Sequence, residues 1–214
     1  MKQVVLVGGF IEIIELCHLC NYEVVGIIDK WDASYAGIPW LGDDSNAVSL
    51  FDTVYSNCEL IITPDQPSLR RKLFNYYFSI GYRFASLVSP LAMVSPSANI
   101  AEGTVIQSYC NVSSNVNIEL GVKLNTYSNV MHDVKIDRFA TIAPGATLLG
   151  GVHIGEEAYI GANSTIIQTR SIGRASIVGA GAVVTKDVPA TKTVIGVPAS
   201  VLEEKLDENI TYSK

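Results

Sequence analysis

Among the 214 residues there are three histidines, and one of them stands in a setting that suggests chemistry. His132 is followed at once by Asp133, inside Asn129-Val130-Met131-His132-Asp133. A carboxylate beside an imidazole can orient one ring nitrogen and leave the other free to take a proton, which is what a general base needs. On the residues alone the same pair reads equally well as a polar turn. His18 lies in an apolar helical stretch and reads as surface or packing, while His153 precedes Ile154 and should face outward from a strand. A second stretch of interest is Val7-Gly8-Gly9-Phe10, a strand-to-helix turn of the kind whose backbone N–H groups can hold a phosphate. It lacks a full G-x-G-x-x-G, so turn geometry alone would also explain its glycines. About twenty residues further on, Asp29-Lys30 could meet a ribose or a base, or could simply be a solvated strand end. Cys17 and Cys20 flank His18 without a second ligand pair, and with Cys58 and Cys110 they read as reduced packing thiols.

The elements that position these residues follow from a repeat. From Val88 to Val184 an aliphatic residue returns at every sixth position, through Ile106, Val112, Ile118, Leu124, Val130, Ile136 and Ile142 among others. Four places after each comes a second column that is small or β-branched, as at Cys110, Val116, Val122, Ser128, Val134 and Ala140, with Arg170 the exception. A period of six fits neither a helix nor a free-running strand; it fits short strands cut by turns, stacked as a parallel β-helix of roughly eighteen residues per coil. Coils about 4.8 Å apart place the large aliphatics inside and the small column near the corners. His132, two places after Val130, then falls on a corner and points away from the core.

Residues 1–84 lack the hexad and alternate strand and helix signals. Strands are expected over Val4–Val7, Val24–Ile28 and Leu60–Thr63, and helices over Ile11–Cys20 and Ser68–Ile80, the latter carrying Arg70, Arg71 and Lys72 early. This is an α/β domain with a parallel, Rossmann-like sheet, whose ligands should meet the strand carboxyl ends near Gly8, Asp29 and Thr63. An aromatic-rich segment with Trp31, Tyr35, Pro39 and Trp40 follows the second strand. Residues 85–201 form the β-helix, and residues 202–214 a charged tail that reads as a short helix. A net charge of −6 without basic clusters argues against nucleic acid or anionic lipid as partner. The hydrophobic fraction of 48% comes from the hexad columns, since no apolar run of about eighteen residues occurs to insert in a membrane. The amino terminus runs directly into a strand without a signal-peptide core, so a cytoplasmic location is expected.

Several motifs together resemble the bacterial sugar O-acyltransferase family of the sialic acid O-acetyltransferase type, which includes N-acetyltransferases of nucleotide-linked 4-amino-4,6-dideoxy sugars. They are Val25-Gly26-Ile27-Ile28-Asp29-Lys30, Ile38-Pro39-Trp40-Leu41-Gly42-Asp43, Asn125-Thr126, His132-Asp133, Ile142-Ala143-Pro144-Gly145-Ala146, Gly179-Ala180-Gly181-Ala182 running on to Pro189, and Gly196-Val197-Pro198-Ala199. The resemblance implies a left-handed hexapeptide β-helix, a homotrimer, acetyl-CoA as cosubstrate and no metal. It makes His132 the base with Asp133 beside it, and gives Asn125, Gly8, Gly9, Phe10, Asp29 and Lys30 to the acceptor. Gly150, Ala162, Ala180 and Gly181 go to the coenzyme, with Lys186 for its phosphates. The sequence departs from the family pattern in the shorter turn Gly8-Gly9-Phe10, in Thr63-Pro64-Asp65 after the third strand, and at Thr141, where some members carry a second histidine. The leading expectation is N-acetylation of a nucleotide-linked amino-dideoxy sugar for surface glycan or O-antigen synthesis. O-acetylation of sialic acid or another nonulosonate, and a non-catalytic β-helix trimer scaffold, are the alternatives.

Overall fold

The computed structural model describes residues 1–31, 37–46, 49–50 and 54–202. Tyr35 and the tail from residue 203 onward therefore lie outside the described residues.

The chain opens with β1 (Lys2–Val7), α1 (Ile11–Leu19), β2 (Tyr22–Ile28), β3 (Glu59–Ile62) and α2 (Pro67–Ile80). The strands form one parallel sheet in the order β2-β1-β3. The run Val4-Val5-Leu6-Val7 is buried on both sides because the sheet is covered on both: Val4 and Leu6 pack with Ile13, Leu16 and Cys17 of α1, whereas Val5 and Val7 pack with Phe74 and Tyr77 of α2. That is why this strand reads as a continuous apolar run instead of an alternation. Proline at the first position of α2 needs no N–H, and Gly81, at φ 107°, closes its carboxyl end in the left-handed conformation.

From Leu87 onward, two-residue strands alternate with four-residue corners. They stack into three parallel faces: the first through Leu87, Val105, Lys123, Thr141, Tyr159 and Ile177, the second through Met93, Asn111, Asn129, Thr147, Thr165 and Val183, and the third through Asn99, Asn117, Lys135, His153 and Ser171. The repeat is visible in side chains as well: the Asn99 amide donates to Asn117, eighteen residues on, at 2.9 Å. The hexad aliphatics from Ile106 to Val184 are buried in one continuous core together with their small partners. A closing hairpin, Thr193–Ile195 with Ser200–Val201, extends the first face. Arg170 breaks the small column without breaking the ladder. Its carbonyl still accepts the His153 N–H at 3.0 Å, while its guanidinium leans out to Asp187 at 3.5 Å.

The α/β unit sits on the first face. Phe74 stacks on Phe84 with ring centroids 3.6 Å apart and meets the edge of Phe139, a corner residue of the β-helix, at 5.5 Å. Two cations complete this junction. Arg70 of α2, 1% exposed, donates to the carbonyls of Pro64, Asp65, Gly121, Phe139 and Ala140 and to the Thr141 hydroxyl, at 2.7 to 3.0 Å. Lys123, 2% exposed, reaches the Thr63 carbonyl at 2.9 Å and the Asp65 carboxylate at 2.8 Å. Burial lowers the Arg70 guanidinium to about 10, with the nearby Asp65 opposing the shift.

Candidate active site

His132 occupies the corner between the second and third faces. Its Nδ1 lies 2.8 Å from Asp133 Oδ2, and the Asn115 side-chain amide donates to Asp133 Oδ1 at 3.2 Å. The hydrogen bond with His132, and after it the one from Asn115, holds the Asp133 carboxyl below the usual carboxylate range. Asp133 itself turns the corner at φ 61°, a left-handed conformation that aspartate tolerates better than most residues. A carboxylate on Nδ1 keeps the proton there and leaves Nε2 as the basic nitrogen. The imidazole rests on Gly150 of the next coil: a Cβ at that position would lie 2.5 Å from the ring carbon Cε1 and 2.7 Å from Nε2. Only glycine leaves room for the ring.

Stacking continues the corner upward. Asp133 N–H donates to the Ser114 carbonyl, Gly151 N–H to that of His132, and Thr169 N–H to that of Gly150, each at 3.0 Å. His132, Gly150 and Gln168 thus follow one edge of the prism, and Lys186, two places after Val184, which pairs with Ile166, comes next at a corner two residues shorter, since Val188 pairs with Ile172. Asn125, Ala162, Ala180 and Gly181 share another, between the first and second faces, where Gly181 N–H donates to the Ala162 carbonyl at 2.8 Å. Within one chain the second face separates these two groups.

Asn125 is 4% exposed and its amide reaches Asp65 Oδ1 at 3.4 Å and the Ile142 carbonyl at 3.3 Å, which places it against the loop after β3. At the strand carboxyl ends, Gly8 adopts φ 96°, and a side chain there would run into the Thr63 hydroxyl. The Gly9 N–H donates to Asp29 Oδ2 at 2.8 Å. That N–H, expected to be available to a phosphate, is already engaged by a side chain, and Asp29 is a loop cap as well as a strand end. Phe10, half exposed, precedes α1 without a side-chain cap. Lys30 lies 5.1 Å above the Trp31 ring, and the Trp40 indole donates to the Asp29 carbonyl at 3.0 Å. These residues line the carboxyl ends of β1 and β2.

The other histidines behave differently. His18 is exposed on α1. His153 projects from the third face and pairs with Asp137, Nε2 to Oδ2 at 2.9 Å. All four cysteines are free; burial pushes the Cys17 thiol up to about 12, and Cys110 bonds to Ser128 inside the core. Sequence reasoning did not single out Lys123 or Thr141 as junction residues. Their hexad positions announce outward side chains, and nothing in one sequence says that a second unit covers that face.

A stack of hexads with an exposed His–Asp pair on one edge defines the class of hexapeptide acyltransferases. The bacterial transferase hexapeptide family, described by six repeats, matches residues 133–168. No curated protein sequence matches the chain. Among solved structures, PerB from Caulobacter crescentus, in complex with CoA and GDP-perosamine, is 30% identical over 95% of this chain and 98% of its own, with a TM-score of 0.89. A histidine-to-alanine mutant of GDP-perosamine N-acetyl transferase from the same organism gives 29% identity, 95% and 98% coverage and a TM-score of 0.90. The acetyltransferase domain of PglB from Neisseria gonorrhoeae gives 28% identity, 94% and 100% coverage and a TM-score of 0.85. The chain belongs to the sugar N-acyltransferases of the left-handed β-helix type.

Proposed function

We propose that the protein transfers the acetyl group of acetyl-CoA to the amino group of a nucleotide-linked amino-dideoxy sugar, in the assembly of a surface glycan such as O-antigen. The observation that carries this reading is the His132–Asp133 pair seated on Gly150, in a chain whose relatives bind CoA together with GDP-perosamine. Asp133 holds the imidazole, and His132 Nε2 takes a proton from the sugar amine as its nitrogen attacks the thioester carbon. The N–C bond forms, the C–S bond breaks, and the proton passes to the departing CoA thiolate. The main-chain N–H at Gly150 faces the developing oxyanion.

The two separated edges of the prism give the reason for a homotrimer. Asn125, Ala162, Ala180 and Gly181 of one subunit and His132 of the partner subunit would wall a single groove, with coenzyme between them and Lys186 at its phosphates. Residues 1–84 hold the acceptor nucleotide at Gly8, Gly9, Phe10, Asp29 and Lys30, residues 85–201 carry the transfer, and residues 202–214 form a tail. Among the described residues no helix is long and apolar enough to cross a membrane, and we place the reaction in the cytoplasm, beside its cosubstrate.

The test is release of CoA thiol from acetyl-CoA in the presence of GDP-perosamine, run beside sialic acid as acceptor. Turnover with the nucleotide sugar and none with sialic acid supports the proposal; the reverse replaces it. Changing His132→Ala should lower kcat by about 10²–10⁴-fold, and a loss under about tenfold removes His132 as the base.

A further inference from the structure

Between the amino end of α2 and the first face of the β-helix lies an open cleft of about 430 Å³, walled by Asp65, Ser68, Tyr159, Ala175 and Ile177. Asp65 belongs to the loop after β3, at the strand ends where ligands of such sheets bind. This loop is unusually well anchored. Its main chain is held by Arg70, and by the Thr141 hydroxyl, which donates to the Asp65 carbonyl at 2.7 Å. Its carboxylate is held by Oδ1 alone, from Lys123 at 2.8 Å and Asn125 at 3.4 Å. The outer oxygen, Oδ2, has no partner among the described residues, and the side chain is half exposed. The other carboxylate of the cleft, Glu157, is spent on Arg71 at 3.1 Å and Arg174 at 3.2 Å.

A carboxylate only accepts hydrogen bonds, and it repels phosphate, so an acceptor nucleotide cannot lay its diphosphate against Asp65. Donors are carried by the sugar ring, the ribose and the base, and since the proposed reading gives the nucleotide to Gly8, Gly9, Phe10, Asp29 and Lys30, the sugar ring is the part left for Asp65. We propose that Asp65 is a specificity-determining residue that accepts a hydrogen bond from a ring hydroxyl of the acceptor sugar. Lys123 is its positioning residue, turning Oδ2 outward by occupying Oδ1. Asn125, on the same carboxylate, joins this contact to the corner where the coenzyme is placed. The assignment rests on the proposed nucleotide-sugar reading and extends it to one end of that ligand.

Calorimetry with GDP and with GDP-perosamine, on the full chain, separates the two ends. Asp65→Asn should weaken GDP-perosamine binding by about 10–100-fold, the range for a hydrogen bond to a charged group, and leave GDP binding unchanged. Lys123→Met should weaken the sugar nucleotide selectively too, and the double variant should be no worse than Asp65→Asn alone, as coupled residues require. A merely structural role would move GDP and GDP-perosamine together. Equal loss of both ligands, or wild-type affinity of Asp65→Asn for GDP-perosamine, overturns the assignment. Wild-type protein that binds GDP but not GDP-perosamine overturns the nucleotide-sugar reading and the assignment with it. Tight wild-type binding beside an unaffected variant overturns the assignment alone.

Discussion

Gly150→Ala tests the seat of the imidazole. A methyl group at that position would lie 2.5 Å from the His132 ring carbon, against a comfortable carbon–carbon separation of about 3.5 Å, so the ring must retreat by about 1 Å. The clash is with the free end of an exposed side chain, and Gly150 does not sit in the left-handed region, so alanine adds no backbone strain. Folding should hardly notice, with Tm within about 2 °C of wild type. Chemistry should notice much more. Retreat by 1 Å stretches the 2.8 Å bond to Asp133 and misplaces Nε2, and misplacement on that scale costs about 10²-fold, or about 2.7 kcal/mol in the barrier. Steady-state kinetics with both substrates varied should find the loss in kcat. A rise confined to the KM of acetyl-CoA would mean that the methyl group blocks coenzyme and not the base. A kcat within about threefold of wild type refutes the argument that Gly150 seats the ring.

Two other perturbations follow from the same geometry. Asp133→Asn leaves Nδ1 without a charged partner and should lower kcat by at least about tenfold with little change in Tm. Because Asp133 is held below the usual carboxylate range, it stays ionised as the pH falls through 5, so the acid limb of the rate profile should survive in the asparagine variant; its disappearance would assign that limb to Asp133. Arg70→Met strands the buried carbonyls of Gly121, Phe139 and Ala140 at about 1–3 kcal/mol each, partly offset by no longer burying a charge, and should cost about 3–5 kcal/mol overall. For a chain of this size that is a fall in Tm of roughly 6–20 °C by calorimetry; a shift under about 3 °C would mean that water replaces the guanidinium.

Much of the fold was legible because a β-helix writes its core into a period. The inward column Ile106 to Val184 and the corner position of His132 both follow from counting by six, and the strands and helices of residues 1–84 follow from apolar runs punctuated by Gly8 and Gly81. Longer-range relations were not legible. Lys123 and Thr141 occupy outward hexad positions, which in an isolated β-helix are solvated; burial came from a unit that the period does not mention. At the Gly9 turn the sequence left a phosphate cradle and plain turn geometry side by side. Its glycines do make the turn, but the N–H they present is taken by Asp29, a residue from the neighbouring strand. Asn125 and His132, seven positions apart, are set on different edges by a full strand and two corner turns, as counting by six requires.

The regular stacking also has a metric consequence. His132 and Lys186 stand on one edge with Gly150 and Gln168 between them, so their separation is set in whole coils, about 14 Å for three steps of about 4.8 Å. On the proposed assignment that edge is a gauge, matching the reach from a thioester to a phosphate. Within its strands it cannot drift by a residue at a time, because an insertion of one there would turn the following aliphatic out of the core. Past Lys186 the chain drops two residues from a corner, so that Val188 pairs with Ile172 and Val194 with Val178, and the inward residues stay inward; a chain with one extra coil between His132 and Lys186 would fold well and grip its coenzyme at the wrong length.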